Sequence, residues 1–154
     1  MVYLTRRYRF CAGHRLHSEA LSAEDNRRVY GKCNNPHGHG HNYLLEVTVA
    51  GPIDPATGMV FDLVALDGIV AEQVLERLDH KNLNVDVESF RTRVPTTENL
   101  CLEIYNLVRG RLETADLRGR VRLERVRLEE TSQNSFEYVG ERAGPEKGMR
   151  QGEL

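Results

Sequence analysis

No run in this 154-residue chain approaches the ~18 apolar residues of a membrane span, and residues 1–10 carry no apolar signal core. A cytoplasmic protein without a membrane partner is therefore expected. Charge of one sign is not in excess: 21 basic against 23 acidic residues leave a net −2, which excludes the general basicity of a nucleic-acid coat. Cysteine is scarce. Cys11, Cys33 and Cys101 are odd in number and follow no framework spacing, so a disulfide scaffold is excluded and each thiol is judged separately. There is no internal repeat and no length for a second sizeable domain. What the chain has is 40% apolar and 29% charged residues, enough for one core and a soluble surface. It also has six histidines, of which His14, His17, His37 and His39 fall within the first 39 residues and His41 follows directly.

Residues 3 to 14 alternate: Tyr8, Phe10, Ala12 and His14 share one parity and Arg7 and Arg9 the other, which predicts a half-buried strand with His14 on its apolar side. Residues 16 to 35 read as a long excursion with at most a short helix, and loops of that length in compact domains are usually functional. Alternation resumes after it, with His39, His41, Tyr43, Leu45, Val47 and Val49 facing one way and Leu44, Glu46 and Thr48 the other. The turn residues 54–58 ahead of Met59-Val60-Phe61 predict an antiparallel hairpin there. Asp62 is an N-cap for a helix with Leu63, Leu66, Val70, Val74 and Leu78 on one face, ending before Asp79. Thr96 or Thr97 caps a second helix whose stripe is Leu100, Ile104, Leu107 or Val108, and Leu112.

Residues 120 to 130 alternate with a change of phase near Glu124 and Arg125, where a bulge is expected, after which Glu130 has the inward parity and Glu129 does not. Ser135 to Val139 forms a last strand. Residues 141 to 154 have no periodicity and read as a disordered tail on a single domain of residues 1–140. The expected fold is α+β, a four-stranded antiparallel sheet with two helices on one face.

His39-Gly40-His41 is the strongest chemical signal, because alternate strand positions put both imidazoles on one face, where Zn–N bonds of ~2.0–2.1 Å can converge. Gly38 and Gly40 let the backbone approach closely. His14 is the third candidate ligand, and three histidines with an open fourth position are the pattern of a catalytic zinc. A lone strand-end histidine more often caps a core; a His-x-His pair with a third inward histidine reverses that preference. His17 and His37 read as surface residues. Cys33 lies in a polar loop beside the cationic Lys32, a setting in which a thiol serves as base or nucleophile, or else as a fourth ligand that closes the site. Cys11 and Cys101 read as packing residues. Asp79-His80 follows a helix end, where an acid orients an imidazole that moves protons or where the histidine is only a cap. Glu130 is either a salt-bridged buried acid or an anchor accepting two adjacent N–H groups of a heterocycle.

These residues sit in segments that resemble the 6-pyruvoyl-tetrahydropterin synthase family. The matching stretches are Phe10-Cys11-Ala12-Gly13-His14-Arg15-Leu16, residues 31–43 from Gly31-Lys32-Cys33 to His39-Gly40-His41-Asn42-Tyr43, residues 53–60, Leu78-Asp79-His80-Lys81-Asn82-Leu83, Pro95-Thr96-Thr97-Glu98-Asn99 and Glu130-Thr131. They run in family order across residues 8 to 140. Two positions depart from the family pattern: His37, and Glu129 in place of an aromatic residue.

The resemblance implies the tunnelling fold, with trimer rings stacked as a homo-hexamer and active sites between subunits. It implies zinc on His14, His39 and His41, Cys33 as proton acceptor, Asp79 and His80 as its relay, and Glu130 holding the pterin beside Thr96, Thr97 and Glu98. The implied reaction, a lyase reaction, turns 7,8-dihydroneopterin triphosphate into 6-pyruvoyl-tetrahydropterin with loss of triphosphate and needs no redox cofactor. Arg15 and Lys32 are candidates for holding the triphosphate. A related enzyme, 6-carboxytetrahydropterin synthase of queuosine and deazaguanine biosynthesis, uses the same substrate and zinc but also releases acetaldehyde. Its usual motif has three residues between the cysteine and His-Gly-His; here five separate Cys33 from His39, which resembles the pyruvoyl-forming branch. A non-catalytic zinc-stabilised module, with Cys33 as ligand, is the reading from another class.

Overall fold

The computed structural model describes residues 1–116 and 119–140; the expected disordered tail, residues 141–154, lies outside the described residues. Two 13-residue strands, β1 (Val2–His14) and β2 (His39–Gly51), form the centre, paired antiparallel from Val2↔Gly51 to His14↔His39. Their alternation matches the sequence period. Between them the excursion holds helix α1 (Ala23–Tyr30), capped by Ser22, and a 3-10 turn, Gly31–Asn34.

The Asp54 turn forms as expected, with Gly58 N–H donating to Asp54 O at 2.7 Å, but no strand follows it. Met59-Val60-Phe61 leads straight into helix α2 (Leu63–Val70), capped by the Asp62 side chain on Val64 N–H at 2.8 Å. The predicted hairpin there is thus wrong. Alternation over three residues was too short to outweigh the helix cap immediately after it. Through a π-helical turn, Ala71–Leu75, α2 continues into α3 (Glu76–Leu78). Repeated steps of four from Leu66 through Val70 and Val74 to Leu78 lag a period of about 3.6 residues, and the wider turn brings all four onto the buried face. Leu63, expected on the same stripe, is exposed.

A two-residue strand, β3 (Lys81–Asn82), pairs parallel with β1 and is followed by the short helix α4 (Leu83–Asp86). Thr96 caps α5 (Thr97–Ala115), which buries Leu100, Ile104, Val108 and Leu112. Strands β4 (Arg122–Thr131) and β5 (Asn134–Tyr138) close the order β3-β1-β2-β4-β5. The α+β class holds, but the sheet has five strands and is mixed, not four and antiparallel. The two residues of β3 are too few to show any period.

Leu45, Val47 and Val49 of β2, Val126 and Leu128 of β4 and the stripes of α2 and α5 make the core, each fully buried side chain contributing ~1.5–3 kcal/mol. Arg6 and Tyr8 both donate to the Asp67 carboxylate, at 2.5 to 3.0 Å, and tie α2 to β1. Glu46 and Thr48, expected on the face opposite the inward histidines, lie there and are buried: Arg7 holds Glu46 at 2.9 Å, and the Thr5 and Thr48 hydroxyls are bonded at 2.8 Å. No helix among the described residues is long and apolar enough to cross a membrane.

Candidate metal centre and pterin pocket

The register His14↔His39 and Ala12↔His41 brings the end of β1 and the start of β2 together with their inward faces aligned. The three imidazoles meet edge to face, ring centroids 4.6 to 5.1 Å apart, and their ligand nitrogens all lie within 4.8 Å of one another. Gly38 makes the approach possible: its φ is +71°, and a Cβ there would stand 2.9 Å from the His14 carbonyl oxygen. Gly40, expected to do the same, has only ordinary contacts.

His14 Nδ1–H donates to the Pro95 carbonyl at 2.8 Å, and since a carbonyl can only accept, Nε2 of the neutral ring keeps its lone pair. That nitrogen faces His39 Nε2 at 3.1 Å. His39 Nδ1 and His41 Nε2 are buried with no hydrogen-bond partner among the described residues, an arrangement costly for a protein core and natural for metal ligands. Burial lowers the pKa of both His14 and His41, so these rings stay neutral, the form that binds metal. The residues fit a metal ion.

Glu130 reaches the cluster from β4. The expected phase change is present, Thr48 pairing with Arg125 and Val49 with Leu123, so Glu124 is the extra residue; a second irregularity falls at Glu130 itself. Glu130 Oε1 lies 3.6 Å from His41 Nε2 and 3.9 Å from His14 Nε2. The Thr97 hydroxyl donates to Oε1 and the Asn134 amide donates to Oε2 at 2.7 Å. Burial alone would raise the Glu130 pKa; these two donors and the histidines outweigh it and hold the group below the usual carboxylate range. Glu129 instead lies 3.7 Å from Arg127. Of the expected pterin-loop residues, Thr97 is buried against Glu130, Thr96 serves as the helix cap and Glu98 is exposed.

Tyr43 was not singled out by sequence. It is the next inward residue after His41, its ring centroid 5.7 Å from that imidazole, and its hydroxyl is buried near Thr97. Burial raises its pKa, so it remains a neutral phenol. Strand parity was the available signal. Asn134 lies beyond a turn whose pairing no local pattern reveals.

Cys33 is half-buried in the 3-10 turn and is not among the ligand atoms that converge. Its carbonyl accepts from Leu16 N–H at 2.9 Å, and the buried Asn34 donates to Leu16 O at 2.7 Å while contacting His17 Nδ1 at 3.0 Å. The loop is thus stitched to the segment just past His14. His17, expected at the surface, is part of that stitching; His37 is exposed.

Asp79 and His80 form a second group, with Cys11, at the edge of β1. Asp79 Oδ1 accepts from Cys11 N–H at 2.8 Å and from His80 Nδ1 at 3.0 Å, and His80 N–H donates to Cys11 O at 2.7 Å. Those bonds hold His80 at φ +60°, a strained conformation for a non-glycine residue. The Cys11 backbone bond is the main cause of the lowered Asp79 pKa. Within one chain the pair is not joined to the histidine cluster, although His80 and His41 line one cleft of about 340 Å³. Cys11, expected to pack, is half-exposed there; Cys101 does pack, and burial pushes its thiol up to about 12.

The sequence profile of 6-pyruvoyl tetrahydropterin synthase matches residues 3–141. A 6-pyruvoyl tetrahydrobiopterin synthase of Drosophila melanogaster is 47% identical over 140 residues, 91% of this chain and 80% of the relative. The solved structure of Caenorhabditis elegans 6-pyruvoyl tetrahydropterin synthase superposes with a TM-score of 0.83 at 41% identity, covering 91% of this chain and 96% of that one. A 6-carboxy-5,6,7,8-tetrahydropterin synthase of Aquifex aeolicus is more distant, 29% identical over 90% of this chain and 98% of its own length. With the inward histidines, their register and nearly the full length accounted for, the chain belongs to the 6-pyruvoyl tetrahydropterin synthase family.

Proposed function

We propose that this protein is a zinc-dependent lyase that converts 7,8-dihydroneopterin triphosphate to 6-pyruvoyl-tetrahydropterin, eliminating triphosphate. The observation that carries the reading is the set of three converging imidazoles, two of them with a buried, unpartnered nitrogen among the described residues, beside an anchored carboxylate and with the Cys33 thiol outside the ligand group. Such a set leaves a coordination position open for substrate, whereas a structural site would use the thiol to close it.

His14, His39 and His41 would hold the zinc, which when bound would supply Lewis-acid polarisation of the substrate's side-chain hydroxyls and so acidify the neighbouring C–H bonds. Cys33 takes a proton from the side chain as general base. His80 exchanges protons through Nε2, because Asp79 occupies its Nδ1–H and fixes the ring. Glu130 accepts two adjacent pterin N–H groups: Thr97 and Asn134 use one lone pair on each oxygen and leave the other. Thr96 holds the start of α5, and Thr97 and Glu98 border the pocket. Asp79 and His80 form a group separate from the histidine cluster within one chain, and the resemblance to the family implies that the site is completed between subunits of a hexamer built from two trimers.

Identity to the pyruvoyl-forming relatives and the five-residue spacing after Cys33 favour this product over the carboxylated one. Incubation of the purified protein with 7,8-dihydroneopterin triphosphate is expected to release triphosphate, and His39→Ala to lose both metal and turnover. A His39→Ala protein that keeps its full zinc content contradicts the ligand assignment.

A further inference from the structure

A cleft of about 320 Å³ lies between residues 15–17, helix α1 and the turn after it, and its wall carries Arg15, Arg27 and Lys32 but no carboxylate among the described residues. Neighbouring Arg28 is paired with Asp25 at 2.8 Å; the three cleft cations have no such partner among the described residues. Unpaired cations facing one concavity repel one another, so an anion is the ligand that relieves them.

Arg15 is held for this purpose. Asn84 grips its backbone at both polar ends, accepting from Arg15 N–H at 2.8 Å and donating to Arg15 O at 2.9 Å. Its Nε donates to Asn34 O at 3.1 Å, and the two terminal nitrogens of the guanidinium have no hydrogen-bond partner among the described residues. A fixed guanidinium with free ends is suited to phosphate oxygens. Two of the cleft's cations are chain neighbours of the chemistry: Arg15 follows ligand His14 and Lys32 precedes Cys33. A leaving group on the carbon next to the one that loses its proton must lie within a few bonds of the base.

A larger cleft of about 580 Å³ on the other side of Arg15 is the rival. Its further cations are already compensated: Arg91 pairs with Glu88 at 3.2 Å and Arg93 with Glu103 at 2.6 Å, and Glu19 stands on its wall. We propose that the smaller cleft binds the triphosphate of the substrate, with Arg15 as the fixed anchor and Arg27 and Lys32 as mobile counter-charges. This assignment rests on reading the chain as an enzyme of a pterin triphosphate.

Inorganic tripolyphosphate is the probe, titrated calorimetrically into the zinc-loaded, full-length protein and tested as a competitor of substrate. Wild type is expected to bind it competitively. Arg15→Gln and Lys32→Gln should each weaken it about tenfold and raise the substrate KM similarly with zinc content unchanged, while Arg15→Lys recovers part of the loss. Arg91→Gln should leave both constants unchanged. Lys32 is exposed, so its variant tests the cleft without threatening the fold. Turnover by wild type with unaltered tripolyphosphate affinity in Arg15→Gln and Lys32→Gln, or a loss confined to Arg91→Gln, overturns the cleft assignment and leaves the enzyme reading standing. Substitution-sensitive tripolyphosphate binding without turnover sustains the cleft as a polyphosphate site and removes the enzyme reading.

Discussion

His14 carries three constraints in one side chain: its parity in β1 turns it inward, Pro95 takes its Nδ1 proton, and Gly38 packs against its carbonyl. Parity was legible from the alternation of Tyr8, Phe10 and Ala12. The Pro95 bond was not, because it joins residues 81 apart in the chain. Cys33 was legible as reactive or ligating, and its thiol is not among the ligand atoms that converge. Cys33→Ala is accordingly expected to keep its zinc and lose ~10²–10⁴ in turnover, checked by metal analysis alongside steady-state rates. A parallel loss of zinc would make the thiol a ligand. Glu130 and Glu129 were separable from sequence only through the inferred bulge. Glu130→Ala is expected to weaken substrate binding roughly ten- to a hundredfold with zinc unchanged, since charge-assisted bonds to the pterin are lost. Glu129→Ala should change substrate affinity by less than about twofold, as for most surface substitutions; the reverse order would mean that the anchor is misassigned.

At the level of elements, long periodic segments were readable and short ones were not. β1, β2 and the helices after Asp62 and Thr96 follow their periods and caps, because burial of one face dictates residue type along the whole element. β3 has two residues and exists only because the chain leaving α3 runs beside β1. The burial of Glu46 also escaped local reading, since Arg7 on β1 and Arg127 on β4 satisfy it from both neighbouring strands. The turn before β2 offers a sharper test. Gly38→Ala combines a left-handed φ with a Cβ 2.9 Å from the His14 carbonyl, so β1 and β2 must separate where the ligands converge. Zinc affinity is expected to fall while the thermal transition shifts only modestly, read by chelator competition and calorimetry. Unchanged zinc affinity would show that the histidines tolerate displacement of this turn.

At the scale of the whole molecule, one chain supplies two chemical groups: the histidine cluster with Glu130 on the inner face, and Asp79-His80 with Cys11 at the sheet edge. In one chain the two groups form separate clusters whose His41 and His80 line a shared cleft; the proposed assembly of trimers into hexamers would let each group work with its counterpart on a neighbouring subunit. Sequence parity already set Cys11 and His14 on opposite faces, but that Asp79 and His80 join Cys11 emerged only with the pairing of β3 beside β1. The central claim concerns what leaves the protein. Incubation with 7,8-dihydroneopterin triphosphate, followed by quantification of triphosphate, acetaldehyde and the pterin formed, tests it most directly. The account predicts 6-pyruvoyl-tetrahydropterin in proportion to triphosphate with no acetaldehyde; acetaldehyde in proportion to triphosphate, together with a carboxylated pterin, would contradict it.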